Sequence, residues 1–167
     1  MGLAEDLLSQ AHHLAGLDLK RPKQASLRRS ISTAYYAVFH LLIAGAVVQL
    51  IRKGPPGLRP RVGRAFSHGE MRQACLAFKR QPLVDPLLSL IGAPVSTELR
   101  DLATAFIDLQ EERHSADYDT GAVFSRAATL AVLAKAESAF RNWRAVENAD
   151  EARAFLAALA FGSRWSK

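Results

Sequence analysis

The feature that most constrains this chain is an uninterrupted apolar run in its first third. Residues 34–51 contain no formally charged side chain, and Arg28-Arg29 and Arg52-Lys53 flank them. Such a run fits a membrane-spanning helix or a helix buried at the centre of a bundle. Tyr35, Tyr36, His40 and Gln49 interrupt its apolar character, and other segments of the chain are amphipathic enough to cover it. We therefore predict a core helix and no membrane span.

The rest of the chain also predicts helices. Alanine and leucine dominate the apolar residues, and no segment of useful length alternates as a strand would. Apolar spacing, caps and breakers predict helices over about 3–17, 26–51, 67–79, 96–113, 120–146 and 152–161, a short helix or irregular segment over 83–91, and a basic loop over 60–66. In the helix over 120–146, Ala127, Leu130, Ala134, Glu137 and Phe140 lie along one face.

These elements predict an all-α fold, specifically an antiparallel four-helix up-and-down bundle with additional short helices. At 167 residues the chain is long enough for one domain with a core. We assign residues 1–147 to the bundle, and residues 148–167 to a C-terminal helix and tail appended to the same domain.

The charge distribution favours an anionic partner. The formal net charge is +6, and nearly half of the 22 Lys and Arg residues fall in two acid-free segments, 20–29 and 52–64. The alternative is that two solvated connections carry this charge for solubility alone. The single cysteine, Cys75, excludes an internal disulfide, and the N-terminal residues do not resemble a signal peptide, so we expect a cytoplasmic protein.

A row of polar side chains follows one face of the long helix. Arg29, Thr33, Tyr36 and His40 have the spacing i, i+4, i+7 and i+11, which places them beside the apolar stripe. A guanidinium, a hydroxyl, a phenol and an imidazole together suit contacts with phosphates or bases. The alternative is that Tyr36 and His40 are satisfied interior groups.

A second polar group lies in residues 113–119, which we expect just after the end of a helix. Arg113 is favourable at a helix C-terminus and Asp119 at the next N-terminus, so neither needs a function. His114 and Tyr118 have no such explanation. We predict that residues 113–118, Asp117 included, meet the polar row and form the site.

Other chemistries have little support in the sequence. The five histidines show no metal-ligand spacing with nearby carboxylates, and no glycine-rich phosphate loop follows a strand. We therefore expect no metal and no cofactor.

Three segments resemble HEPN domains, which are small helical bundles of prokaryotes. Residues 27–40 (LRRSISTAYYAVFH) resemble the signature of the second HEPN helix, Ser67-His68-Gly69-Glu70 is similar to a following Thr/Ser-His segment, and residues 113–118 resemble an Arg-x-x-Ala-Asp-Tyr junction. The resemblance spans roughly residues 26–118.

The resemblance implies a homodimer with an RNA-facing cleft between its subunits. Many family members are metal-independent ribonucleases or toxins paired with a nucleotidyltransferase antitoxin. Their catalytic arginine is followed by a polar residue and, five or six positions on, by a histidine. Arg113 and His114 match the first two positions, whereas Tyr118 and Asp119 stand where the histidine is expected.

Three functions follow as hypotheses. The first is an RNA- or nucleotide-binding module, either alone or as one member of a toxin–antitoxin or stress-response pair. The second is a metal-independent endoribonuclease in which His114 or His40 replaces the absent base. The third is a helical dimerisation scaffold with no nucleic-acid role. The predicted catalytic residues are Arg113, His114 and Tyr118, and the predicted nucleic-acid contacts are Arg29, Thr33, Tyr36, His40 and Asp117.

Overall fold

The computed structural model describes residues 2–18 and 20–165, apart from the side chain of Ser163. Regular secondary structure within these residues is entirely helical, which confirms the all-α prediction. The helices are α1 (Leu3–Gly16), α2 (Gln24–Leu50), α3 (Leu58–Gly63), α4 (His68–Lys79), α5 (Leu87–Ile91), α6 (Thr97–Tyr118), α7 (Arg126–Val146) and α8 (Asp150–Phe161), and a 3₁₀ turn (Gly162–Arg164) follows α8. Ser166 and Lys167, in the predicted tail, lie outside the described residues.

The helices are distributed over two compact units. One unit contains the described residues up to Leu41 together with Ala105–Phe140, and the other contains Leu42–Thr104 together with the chain from Arg141 onward. The predicted domain boundary at residue 147 stays a prediction.

The first unit packs α1, the start of α2, the end of α6 and the start of α7. The buried Ser30 hydroxyl of α2 donates to the Ala11 carbonyl of α1 at 2.8 Å. The ring of Tyr35, which is fully buried, lies 5.5 Å from that of Phe106 on α6. These contacts place the polar face of α2 beside the end of α6.

The second unit is built around α4 and α8. The fully buried rings of Phe78 and Phe155 meet edge to face, with centroids 5.0 Å apart. Gly45 lies where a Cβ atom would be 2.6 Å from Cζ2 of Trp143, so only glycine allows this approach of α2 to α7. The Glu151 carboxylate of α8 accepts a hydrogen bond from the Ser96 N–H at 2.9 Å.

Helix α2 is long and apolar enough to cross a membrane by length and composition. Within the described residues it is the one helix of that kind, and 61% of its most apolar window is buried inside the protein. Core helices of folded proteins pass the same test.

Helix α6 continues through Tyr118, so the prediction that a helix ends near Arg113 was wrong. No glycine or proline interrupts residues 113–118, and Arg113 and Asp117 pair one turn apart within the helix. The helix ends at Tyr118, and the carboxylate of the next residue, Asp119, accepts hydrogen bonds from the N–H groups of Gly121 and Ala122 at 2.9 and 3.2 Å. The candidate residues therefore lie on the last turns of a helix and not on a loop.

Two other boundaries also differ from prediction. The basic segment forms the short helix α3, because Pro60 falls in a first turn, where its missing N–H is not needed. Helix α7 begins at Arg126 and not near Thr120, since the Ser125 hydroxyl accepts the Ala128 N–H at 3.1 Å. The starts predicted near residues 67 and 96 are close to the observed ones, because the hydroxyls of Ser67 and Ser96 cap α4 and α6 by accepting the N–H groups of Glu70 and Leu99, each at 3.2 Å.

Candidate functional site

Arg113 is the centre of a group that we call the Arg113 cluster: Tyr36, Arg113, Asp117 and Tyr118. The Nη2 group of Arg113 donates to the hydroxyl of Tyr36 at 3.1 Å. The Cζ atom of Arg113 lies 5.5 Å from the ring centroid of Tyr36 and 5.4 Å from that of Tyr118. Both distances fall within the range of cation–π attraction, so two aromatic rings hold the guanidinium.

Asp117 completes the cluster from the same helix. Its Oδ2 atom lies 2.8 Å from Nε of Arg113, an ion pair without hydrogen-bond geometry, and it accepts the hydroxyl of Ser32 at 3.2 Å. The spacing of four residues puts Arg113 and Asp117 on one face of α6, and Ser32 reaches them from α2. The cluster is therefore fixed by contacts between two helices.

The environment keeps Arg113 charged. Burial lowers its pKa, but the opposing attraction of Tyr36, Asp117 and Tyr118 outweighs burial, and the net result is a raised pKa. The side chain is 19% exposed, so this fixed positive charge still reaches solvent.

Tyr118 is the exposed part of the cluster. Its side chain is among the most exposed large apolar groups, at 62%, and its ring lies 5.0 Å from the ring of the exposed His114. The spacing of four residues brings these two rings together on α6. An exposed aromatic ring can stack on the planar part of a ligand. The neighbouring guanidinium and imidazole can then donate hydrogen bonds to an anionic group of the same ligand.

Comparison of the chain with family models, curated proteins and solved structures finds no match. The HEPN resemblance therefore rests on the three sequence segments that suggested it.

The structure brings together some of the predicted residues and separates others. Tyr36 and residues 113–118 meet as predicted, whereas Thr33 is buried and its hydroxyl donates to the Arg29 carbonyl at 2.7 Å. The Thr33 hydroxyl is thus bonded to a carbonyl of its own helix and is not available to a ligand. The Arg29 side chain is exposed, and His40 packs with its ring centroid 5.4 Å from that of Phe39.

Sequence reasoning missed two residues that hold the end of α6 in place. The guanidinium of Arg28 donates through Nη1 to the Ala116 carbonyl at 2.9 Å and through Nη2 to the Ala122 carbonyl. The amide of Gln24 pairs with both backbone groups of Phe124, at 2.8 and 2.9 Å. Both residues bind backbone groups, which leave no signal in the sequence. They are positioning residues for the cluster.

Within the residues that the structure describes, no group of three or more histidine, cysteine or acidic side chains could hold a metal ion. Cys75 is fully buried, and burial raises the pKa of its thiol, which disfavours the thiolate that a metal or an electrophile needs.

The stability contribution of His40 should depend on pH. Burial lowers its pKa below the ordinary 6.5, so the folded protein binds this proton less readily than the unfolded chain. Stability should therefore fall as the pH drops through 6.5 toward the lowered pKa. Denaturant unfolding of wild type and His40→Gln at about pH 7.5 and about pH 5 isolates the effect, because the other titrations cancel in the difference. At the lower pH the free energy of unfolding of His40→Gln should rise relative to that of wild type. The prediction is wrong if the difference between the two proteins is the same at both pH values.

Proposed function

We propose that this chain is an RNA-binding module that contacts single-stranded RNA through the Arg113 cluster. The supporting observation is that a permanently charged guanidinium lies between two tyrosine rings, one of which is 62% exposed. We further propose, from the sequence resemblance, an HEPN-like antiparallel four-helix bundle that acts as a cytoplasmic homodimer. A nucleotidyltransferase encoded beside it would be its partner in a toxin–antitoxin or stress-response pair.

Tyr118 would supply the stacking surface. Every base has a planar face, so an exposed aromatic ring binds bases without strong sequence preference. The neighbouring ring of His114 and the guanidinium of Arg113 hold the Tyr118 ring from two directions, at 5.0 and 5.4 Å. This contact reduces the rotamer entropy that the ring would lose on binding.

Arg113 would supply the phosphate contact. An arginine side chain has five N–H donors, and the described contacts of Arg113 use Nε and Nη2. The Nη1 group is left to donate to a phosphate oxygen. Because Asp117 offsets part of the charge, the contact gives orientation more than affinity.

Replacing Tyr118 tests the proposal. Stacking is worth about 1–3 kcal/mol per base, so Tyr118→Ala should raise the Kd for single-stranded RNA by about 5- to 150-fold. Fluorescence anisotropy with a labelled oligonucleotide at low and rising salt measures the change. Tyr118→Phe keeps the ring and should bind like wild type.

A matched control is available in the loop that follows. Val123 is apolar and 84% exposed, so Val123→Ala trims an exposed apolar side chain without removing an aromatic ring. The proposal is wrong if wild type does not bind RNA at low salt, or if Tyr118→Ala binds as tightly as Val123→Ala.

A ribonuclease is the second candidate, because Arg113 and His114 contact the same Tyr118 ring. Histidine could act as a base toward a ribose hydroxyl, and arginine could stabilise the developing negative charge. The RNA recovered from the binding assay, with EDTA present, should remain intact if the chain only binds. Products that disappear in Arg113→Ala would favour the enzyme instead.

A further inference from the structure

A second surface, remote in sequence from the Arg113 cluster, carries concentrated positive charge. Residues 52–64 contain five cationic side chains and no acidic one. All five are exposed to solvent. They lie in the connection from α2 to α3, on α3 itself and directly after it, entirely within the second compact unit.

One of the five has a structural role. Nε and Nη2 of Arg59 both donate to the Ile51 carbonyl, at 3.2 and 3.1 Å, and Nη2 also contacts the Arg52 carbonyl at 3.3 Å. Arg59 thereby satisfies carbonyl groups where α2 ends. Gly57 adopts a left-handed conformation, with φ of +87°, that other residues rarely adopt, and the prolines of this segment restrict the backbone of the same connection. Arg59 thus ties α3 to the backbone at the point where the basic segment begins.

We call the other four, Arg52, Lys53, Arg61 and Arg64, the basic corner. Within the part of the chain that the structure describes, no hydrogen bond or ion pair engages their side chains, whereas Lys23, Arg113, Lys135 and Arg153 each pair with an acid. Like charges gathered without acids repel one another and favour an anionic partner. The four charges of the corner are therefore available to an anionic partner.

We infer that the basic corner binds the phosphate backbone of a nucleic acid without reading its sequence. Arg61 lies on α3, Arg52 and Lys53 precede it and Arg64 follows it, so the four cations are spread along the chain in a way that suits an extended polyanion. No aromatic residue occurs in 52–64, and the adjacent Phe66 is buried, so the corner offers no ring on which a base could stack. Charge without stacking gives strongly salt-dependent and sequence-independent binding.

This inference adds a second surface to the proposed RNA-binding function, and a charge-matched pair of variants tests it. The corner variant replaces Arg52, Lys53, Arg61 and Arg64 with glutamine. The control variant removes four exposed charges elsewhere, by replacing Lys79, Arg80, Arg141 and Arg144 with glutamine. Circular dichroism establishes that both variants are folded.

The measurement is the salt dependence of binding to uridine and adenine homopolymer RNA and to thymidine homopolymer DNA of equal length. Removal of one phosphate contact reduces the steepness of log K against log salt by about 0.7 for a single strand. The corner variant should show this reduction and a tenfold or greater loss of affinity at low salt for all three strands. The control variant should lose much less affinity and should keep a salt dependence close to that of wild type.

Several results would overturn the inference. Equal losses in both variants would mean that only net charge matters, and no loss in the corner variant would mean that the corner is not used. If Tyr118→Ala weakens binding and the corner variant does not, the proposed function stands and this inference fails. If wild type binds no strand at low salt, both fail. If the corner is needed for phosphatidylserine vesicles and not for RNA, its partner is a membrane surface and the inference is wrong.

Discussion

Phe155→Ala should lower the free energy of unfolding by about 3–5 kcal/mol. The Phe155 ring is fully buried and meets the ring of Phe78, also fully buried, edge to face at 5.0 Å. Truncation would remove this contact and leave a cavity between α4 and α8. Urea unfolding, monitored by far-UV circular dichroism, should have its midpoint at a lower urea concentration than in wild type.

The matched control lies on the same helix. Phe161 is 46% exposed, so Phe161→Ala should change the free energy of unfolding by roughly 0.5 kcal/mol or less. Equal effects of the two substitutions would mean that α8 does not pack through Phe155. The result also bears on the predicted appended helix, because a loosely attached α8 would tolerate both changes.

The long helices could be predicted because their boundaries depend on local signals. Ser67 caps α4 with its own hydroxyl, and the Gly54–Gly57 segment follows the end of α2 at Leu50. The predicted start of α8, near residue 152, is two residues late. The helix begins at Asp150, after Ala149, with no side-chain cap to mark its start.

The predicted face of α7, residues 127, 130, 134, 137 and 140, is not the buried face, because Ala127, Leu130 and Ala134 are exposed and only Phe140 is buried. Leu130 is 46% exposed, whereas Leu133 and Ala136 are fully buried. Alanines occur on several sides of this helix, so the apolar period alone does not identify the buried side. Trp143 settles the orientation by packing against Gly45, a contact between residues far apart in sequence.

The candidate site was predicted in outline only. The spacing of Arg113 and Asp117 indicates a shared helix face once the helix is known to reach Tyr118. The burial of Thr33 was missed, because a row of polar residues at helical spacing does not show which side chain hydrogen-bonds to the backbone of its own helix. The role of Arg28 was missed because Arg28-Arg29 looks like two solvated charges.

Arg28→Ala should destabilise the protein by about 2–3 kcal/mol, since hydrogen bonds from charged groups contribute about 1.5–3 kcal/mol each and these are part-buried. The substitution leaves the carbonyls of Ala116 and Ala122 without this donor and removes a guanidinium 5.3 Å from the ring centroid of Phe124. Denaturant unfolding measures the global loss. Amide hydrogen exchange should show faster exchange in residues 113–125 than elsewhere.

Arg29→Ala is the matched control for stability, because it removes the same charge from the next residue, whose side chain is exposed. Its effect should be within about 0.5 kcal/mol. Arg28→Lys keeps the charge but cannot place two donors in a rigid fork, so it should recover only part of the loss. If Arg28→Ala and Arg29→Ala are equally stable, Arg28 is a solvated charge, and the end of α6 holds Tyr118 in place without it. If the predicted difference appears, the exposed ring of Tyr118 depends on a guanidinium that never touches it, and RNA binding should weaken in Arg28→Ala even where the protein remains folded.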